Sequence, residues 1–367
     1  MFTRTDDKIT ASQAAVFLTN TILGAGVLTM PRSVTQAVKT PDSWLTILLG
    51  GGVIMLVVLL MVKLCQQFPG QTIFQFSGKI IGNIPGKLIC LPLVLYFIVI
   101  AGFEIRSVAE VTLYFLLERT PVWAVVLPFI WAGAYLVWGG INSIARVFQI
   151  VLPISLLVLL VSFGVSLRLF NIDNLRPVLG QGLPPVLRGM KSSILVYSGC
   201  EVVLVTTAFL QHPQRAVKTM LGGIAIPITL YLMTVLFVVG GLSIDSVITS
   251  TWPTIDLVRS FEITGFFVER LEFPLMVIWL MQMFCNFSSF FFQASLGLSQ
   301  IFGFSFQKAV LGLVPFIFLA TMIPKSIQDL FALGDAIGMM SIWLFLLLPV
   351  PLLVIWLIRT KGLKRHV

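Results

Sequence analysis

Long apolar runs dominate this chain, and each is long enough to cross a lipid bilayer. A helix rises about 1.5 Å per residue, so a hydrocarbon core about 30 Å thick takes roughly 20 apolar residues. That ruler divides the sequence into ten spans: 11–37, 44–64, 87–116, 121–139, 144–168, 190–210, 219–241, 268–298, 306–323 and 336–358. Lipid offers no partner for open backbone, and the runs are too long for barrel strands, so only helices fit. Charged residues make up 11% of the chain, against about 25% in an average soluble domain. So few charges exclude a soluble globule, a coiled coil and a disordered chain. An all-α integral membrane protein remains.

The net charge of +9 does not point to nucleic acid. Its basic residues are scattered between apolar runs, with no aromatic-basic patch. They read instead as flanks of the spans. With the N-terminus inside, the cytoplasmic segments carry the larger share of Lys and Arg, and the basic tail 359–367 adds to it. Both termini are therefore expected in the cytoplasm. The run after Gln13 lacks the basic flank and small-residue cleavage site of a signal peptide, and reads as the first span. Cys65, Cys90, Cys200 and Cys285 form no CxxC pair, and His212 and His366 lie far apart. No metal site, cofactor or disulfide framework is expected. No HExxH, Walker loop or GxSxG occurs, which argues against an enzyme.

The stretch 66–86 mixes Gly, Pro and polar residues and predicts an interfacial helix. The polar stretch 171–189 predicts a loop joining two five-span halves, about 11–168 and 190–358. The first span carries Gly24 and Gly26 mid-membrane, and the sixth carries Ser198, Gly199 and Glu201. Breaks at corresponding places in two halves mark a midplane binding site in inverted-repeat transporters. Half-helix N-termini near Val27 and Val202 would attract an anionic group, and carbonyl ends near Leu23 and Tyr197 a cation. Such a cavity suits a zwitterion. Small residues also serve close helix packing, but two interruptions in register favour a site.

Charges inside a membrane are costly, so each needs a reason. Arg106 and Glu110 are four residues apart and are expected to pair. Glu104 lies near the centre of span three and needs a partner on another span, a ligand or a proton. Glu201 reads either as a carboxylate favoured by a helix N-terminus or as a group beside the ligand. In span eight, Asn286 and Ser289 share a face and can bond to the unwound backbone of span one, or simply join helices. Phe290–Phe292 read as packing or lipid contact, and Trp252 as an external interfacial anchor.

Five segments carry a resemblance: NTILGAGVLTMPR (20–32), FEIRSVAEVTLYFLLERTP (103–121), NIDNLRPVLGQG (171–182), YSGCE (197–201) and WPTIDLVRSFEITGFFVERLE (252–272). Together they resemble the spore germination permease family, the B subunits of nutrient germinant receptors, which are similar in fold to amino acid–polyamine–organocation transporters. The resemblance implies ten helices in a five-plus-five inverted repeat, with helices one and six broken. It implies a germinant pocket between spans one, three, six and eight. Matched motifs place Gly24, Ala25 and Gly26 in the first break and Ser198, Gly199 and Cys200 in the second. Ala101 and Glu104 would line the pocket from span three, and Cys285, Asn286 and Ser289 from span eight. Thr21, Val27, Tyr197 and Glu201 flank the breaks and complete the expected set. Implied partners are an A subunit with its own membrane segments and a C-subunit lipoprotein, in the inner membrane of the spore.

Some proton-coupled transporters of that superfamily carry a lysine in span five. Here span five has Arg146 at one end and Arg168 at the other, with only Ser155 and Ser162 polar between. Two functions stay open. The chain is a sensor that binds a nutrient, most simply an amino acid, and triggers germination, with the gating of ions as one route; or it is a secondary transporter using the same pocket.

Overall fold

The computed structural model describes residues 7–260 and 272–363. The beginning of expected span eight, part of the motif at 252–272 and the end of the basic tail lie outside the described residues.

The first span is broken. Helix α1 (Ala11–Ile22) starts at a reciprocal cap, in which Thr10 Oγ1 accepts the Gln13 N–H and the Gln13 side chain accepts the Thr10 N–H. It stops at Leu23–Ala25 and resumes as α2 (Gly26–Val38), bent by 56°. Helix α3 (Ser43–Cys65) follows, then the short α4 (Ile73–Ile81) where an interfacial helix is expected. The 33-residue α5 (Asn83–Phe115), α6 (Val122–Trp138) and α7 (Gly140–Ser166) complete the first half. The second half also opens on a break. Helix α8 (Pro184–Val196) gives way to Tyr197–Gly199, a 3-10 turn and α9 (Val203–Thr206), with a bend of 50°. After it come α10 (Ala216–Leu242), two short helices α11 (Ile244–Thr249) and α12 (Pro253–Arg259), α13 (Glu272–Phe302), α14 (Phe306–Met322), α15 (Ile327–Leu347) and α16 (Pro349–Leu363).

Among the described residues, six helical segments are long and apolar enough to span a bilayer, and the two bent pairs, each taken as one span, raise the number to eight. Helices α6 and α14 occupy expected spans four and nine. At 17 residues each they are about 26 Å long, just short of the hydrocarbon core. Two boundaries differ most from expectation. The last span begins at Ile327 rather than 336, because Asp329, Gly334 and Asp335 lowered its apparent hydrophobicity. The mid-chain loop ends at Pro184 rather than 189, because two prolines open α8 where the missing N–H is harmless. Trp252 is largely buried, its indole 5.1 Å from the Tyr114 ring and 5.4 Å from the Phe115 ring.

Helix α13 forms the axis of the bundle. It packs along α5 and against α7, α14 and α1, and every residue from Cys285 to Ser295 is buried. In this enclosed stretch Asn286 and Ser289 find partners on span one, while Ser288, Gln293 and Ser295 hold buried polar atoms without partners among the described residues. Phe290–Phe292 are accordingly packing residues. The outer faces carry Leu56, Tyr135, Ile150, Leu157 and Trp343, all exposed, as lipid contact requires. Arg106 and Glu110 pair at 2.7 Å.

Two stability predictions arise here. Gly199 has φ +110°, and a Cβ there would sit 2.6 Å from the Thr21 carbonyl oxygen. Gly199→Ala should cost about 2–4 kcal/mol, combining backbone strain with the collision. Gly222→Ala, on an open helical face, should change stability by about 1 kcal/mol or less. Thermal unfolding of the detergent-solubilised proteins checks both; equal midpoints would refute the close approach. By the same assay, Arg106→Met should cost about 3 kcal/mol by stranding the Glu110 carboxylate, and adding Glu110→Leu should recover most of that.

Candidate functional site

The first break leaves carbonyl groups without helical partners, in a place where water cannot reach freely. Three side chains from other helices take them up. Gln282 Nε2 donates to the Asn20 carbonyl at 2.9 Å, Asn286 Nδ2 to that of Thr21 at 2.8 Å, and the Tyr231 hydroxyl to that of Ile22 at 2.6 Å. Ser289 adds a 2.7 Å hydrogen bond from the Thr21 hydroxyl. The exposed end of α1 is thus capped by α13 and α10 rather than by a ligand.

The other polarity of each break also meets a group of this chain. Glu104, reaching over from α5, brings Oε1 to within 3.2 Å of where a Cβ on Gly24 would stand, beside the first break. At the second break, the Gly199 N–H donates to Glu201 Oε2 at 2.8 Å. Two internal carboxylates therefore stand where the half-helix N-termini were expected to face an anionic ligand.

A cavity of about 500 Å³ lies beside the breaks. Gly24, Ala25, Gly26, Glu104, Ser198 and Asn286 form part of its wall. The end of α8 (Ser192, Leu195 and Val196) forms one side, and the mouth lies between the far end of α2 and the first half of α15, where Ser33, Gln36 and Asp335 are exposed. The opposite end of the bundle is clipped shut by the N-terminal segment. The Ile9 N–H donates to the Phe209 carbonyl at 2.8 Å, and the Gln211 N–H to the Ile9 carbonyl at 3.1 Å. The cavity thus opens toward the face away from the N-terminus.

The remaining expected residues lie behind that wall. Thr21 and Ser289 bond to each other. Ala101, Cys200 and Cys285 are fully buried. The Tyr197 hydroxyl donates to the Ile47 carbonyl at 3.1 Å. Gly199 packs on Thr21 and holds Glu201, and Val27 accepts the Thr254 hydroxyl through its carbonyl. Sequence reasoning missed Gln282, Tyr231 and Arg32. Gln282 carried a signal, since it precedes Asn286 by one helical turn and shares its face. Arg32 carried one too, because Thr29, Arg32, Ser33 and Gln36 form a polar face on an otherwise apolar helix. Tyr231 carried none: it is a lone tyrosine in an apolar span, and its partner is 209 positions away.

Comparison with known proteins is consistent along the whole chain. Residues 8–330 match the sequence family described as "Spore germination protein". Spore germination protein YndE of Bacillus subtilis (strain 168) is 41% identical over 364 residues, covering 99% of this chain and all of that protein. Spore germination protein A2 of the same organism is 35% identical over 98% of this chain and 97% of its own length. Spore germination protein B2 is 34% identical over 91% of this chain and 92% of its own length. Among solved structures, MhsT in complex with L-phenylalanine superposes with a TM-score of 0.70 at 13% identity, over 91% of this chain and 88% of that one. Mhp1, a nucleobase-cation-symport-1 family transporter in a closed conformation, superposes with a TM-score of 0.59 at 13% identity, over 94% and 82%. At such identities these likenesses speak for the fold alone, and that fold is the broken-helix transporter architecture read from the sequence. The chain belongs to the spore germination permease family.

Proposed function

We propose that this chain is the membrane subunit of a nutrient germinant receptor and that it holds a small nutrient, an amino acid, in the cavity beside the two breaks. The observation that carries this reading is the cavity itself. At about 500 Å³ it falls within the range of small-molecule sites, and both broken helices contribute to its wall. The names of the relatives supply the germination context, and a bound L-phenylalanine in MhsT supports the ligand class. On this reading both termini face the cytoplasm, and the cavity opens to the other side of the inner spore membrane. Occupancy shifts the helices, signals to an A subunit and a C-subunit lipoprotein, and gates ion flux. A ligand shifts such an equilibrium only by its differential affinity for the two states. Family and fold favour a receptor or transporter over an enzyme.

The secondary transporter is the second reading, favoured by the transporter fold. The absence of a mid-membrane cation on α7, whose only arginine is Arg146 near its start, favours the sensor.

Spores carrying Gly26→Trp test the pocket. Gly26 lies in the cavity wall, with Tyr231 Oη 3.1 Å from where its Cβ would stand. The substituted spores should lose their response to one nutrient class while immunoblots show the protein still in the membrane. An unchanged response with the indole in place would sink the assignment. Purified protein in liposomes separates the two readings: the sensor should show no saturable amino-acid uptake on its own, whereas the transporter should.

A further inference from the structure

The two ends of the cavity offer opposite hydrogen-bonding chemistry. At the floor, Glu104 and Asn286 converge on Gly24: a Cβ at that position would lie 3.2 Å from Glu104 Oε1 and would collide with the Asn286 amide. Glu104 is 5% exposed and Asn286 2%. Asn286 donates its amide N–H to the Thr21 carbonyl of the broken span one, and the Glu104 carboxylate stands beside the same break. Each keeps one oxygen without a partner among the described residues, Glu104 Oε2 and Asn286 Oδ1. The Asn286 amide is fixed by its donation to Thr21, so its free atom is the acceptor. Both side chains stand in the cavity wall. The other polar side chain near the floor, Ser198, is already engaged with the Leu195 carbonyl and with Ser341. The floor therefore holds two buried acceptors without partners, and among the described residues no side chain of the cavity wall holds an unpaired buried donor.

At the mouth the chemistry reverses. Arg32 projects from α2 into the cavity wall. Its guanidinium lies 5.7 Å from the centre of the Phe331 ring and forms no ion pair among the described residues. Guanidinium has five donors and no acceptor.

We infer that the cavity binds an amino-acid zwitterion with its ammonium inward, on Glu104 Oε2 and Asn286 Oδ1, and its carboxylate outward, toward Arg32. This rests on the proposed function and gives its ligand a direction. It is the reverse of the arrangement in which a half-helix N-terminus grips the ligand carboxylate, because the Glu104 carboxylate already stands beside Gly24, where α2 begins. An inorganic cation shares the chemistry of the floor, but it would leave Arg32 and most of the cavity volume unused.

The test uses the full chain in lipid nanodiscs and isothermal titration calorimetry. The twenty standard L-amino acids are screened, and the tightest binder is compared with its N-acetyl derivative, which lacks the ammonium, and its methyl ester, which lacks the carboxylate. The N-acetyl compound should bind roughly 30-fold more weakly or worse. The ester should lose only about three- to fivefold at the half-exposed mouth. Glu104→Gln should reproduce the first loss and Arg32→Gln the second. An N-acetyl compound that binds within threefold of its parent, or an ester weakened more than it, would overturn the polarity while leaving the pocket intact. Sodium or potassium chloride that competes with the amino acid in a Glu104-dependent way would reassign the floor to an inorganic cation. Failure of every amino acid to bind would instead remove the amino-acid reading on which the inference stands. The analogue comparison uses the unsubstituted protein, so it decides the question even where a variant fails to fold.

Discussion

Three carbonyl groups left open in the middle of a membrane organise this molecule. Breaking span one strips the carbonyls of Asn20, Thr21 and Ile22 of their helical partners, and in hydrocarbon each would cost several kcal/mol unmet. Their rescue by Gln282, Asn286 and Tyr231 explains why α13 runs through the centre of the bundle. It also explains why an amide-bearing helix can be buried on every side. Asn20 adds a tie to α7 by donating to the Phe148 carbonyl at 3.2 Å. Span one is therefore held at its break by three different helices.

The second break is handled more locally. Glu201 turns back to accept the Gly199 N–H, Ser198 reaches Ser341, and the Tyr197 hydroxyl reaches the Ile47 carbonyl. The two breaks also touch, since Gly199 leaves no room for a Cβ against the Thr21 carbonyl. That carbonyl is the one capped by Asn286, a residue of the cavity wall. The cavity floor, the first break and the second break thus form one contiguous contact. Packed interiors deform in discrete steps rather than continuously, so a change at the floor has a short physical route to both broken helices.

Much of the fold was legible because lipid imposes a single ruler. Expected spans 44–64 and 219–241 differ from α3 and α10 by three residues or fewer at each end. The ruler failed where polar residues face a cavity instead of lipid. Asp335 at the mouth and Asp329 in a capping box made the start of α15 look like a loop. Prolines misled in the same way at α8, because a first-turn proline reads as a breaker in sequence. The breaks were visible as glycine spacing. Part of the chemistry around them was visible as periodicity: Asn286 and Ser289 share a face of span eight, and Gln282 extends it. What periodicity could not show is which charge turns inward. Arg32 counted as one of several basic residues outside the membrane, and only the tilt of α2 after a 56° bend brings it to the cavity. Tyr231 illustrates the harder limit, since a side chain that caps a distant carbonyl leaves no mark in its own neighbourhood.

The unpaired oxygens at the floor bear on how such a site could signal. In the empty site Glu104 Oε2 and Asn286 Oδ1 are buried and without partners among the described residues, a state that costs about 1–3 kcal/mol for each and more for an ionised carboxylate. An ammonium group brought to the floor would meet both with charge-assisted hydrogen bonds. A conformation that lets the ammonium reach these two atoms is therefore favoured with ligand over its empty counterpart. The differential affinity that any ligand-driven change requires is in this way built into the floor of the cavity, and a ligand that cannot donate hydrogen bonds there leaves both acceptors unmet.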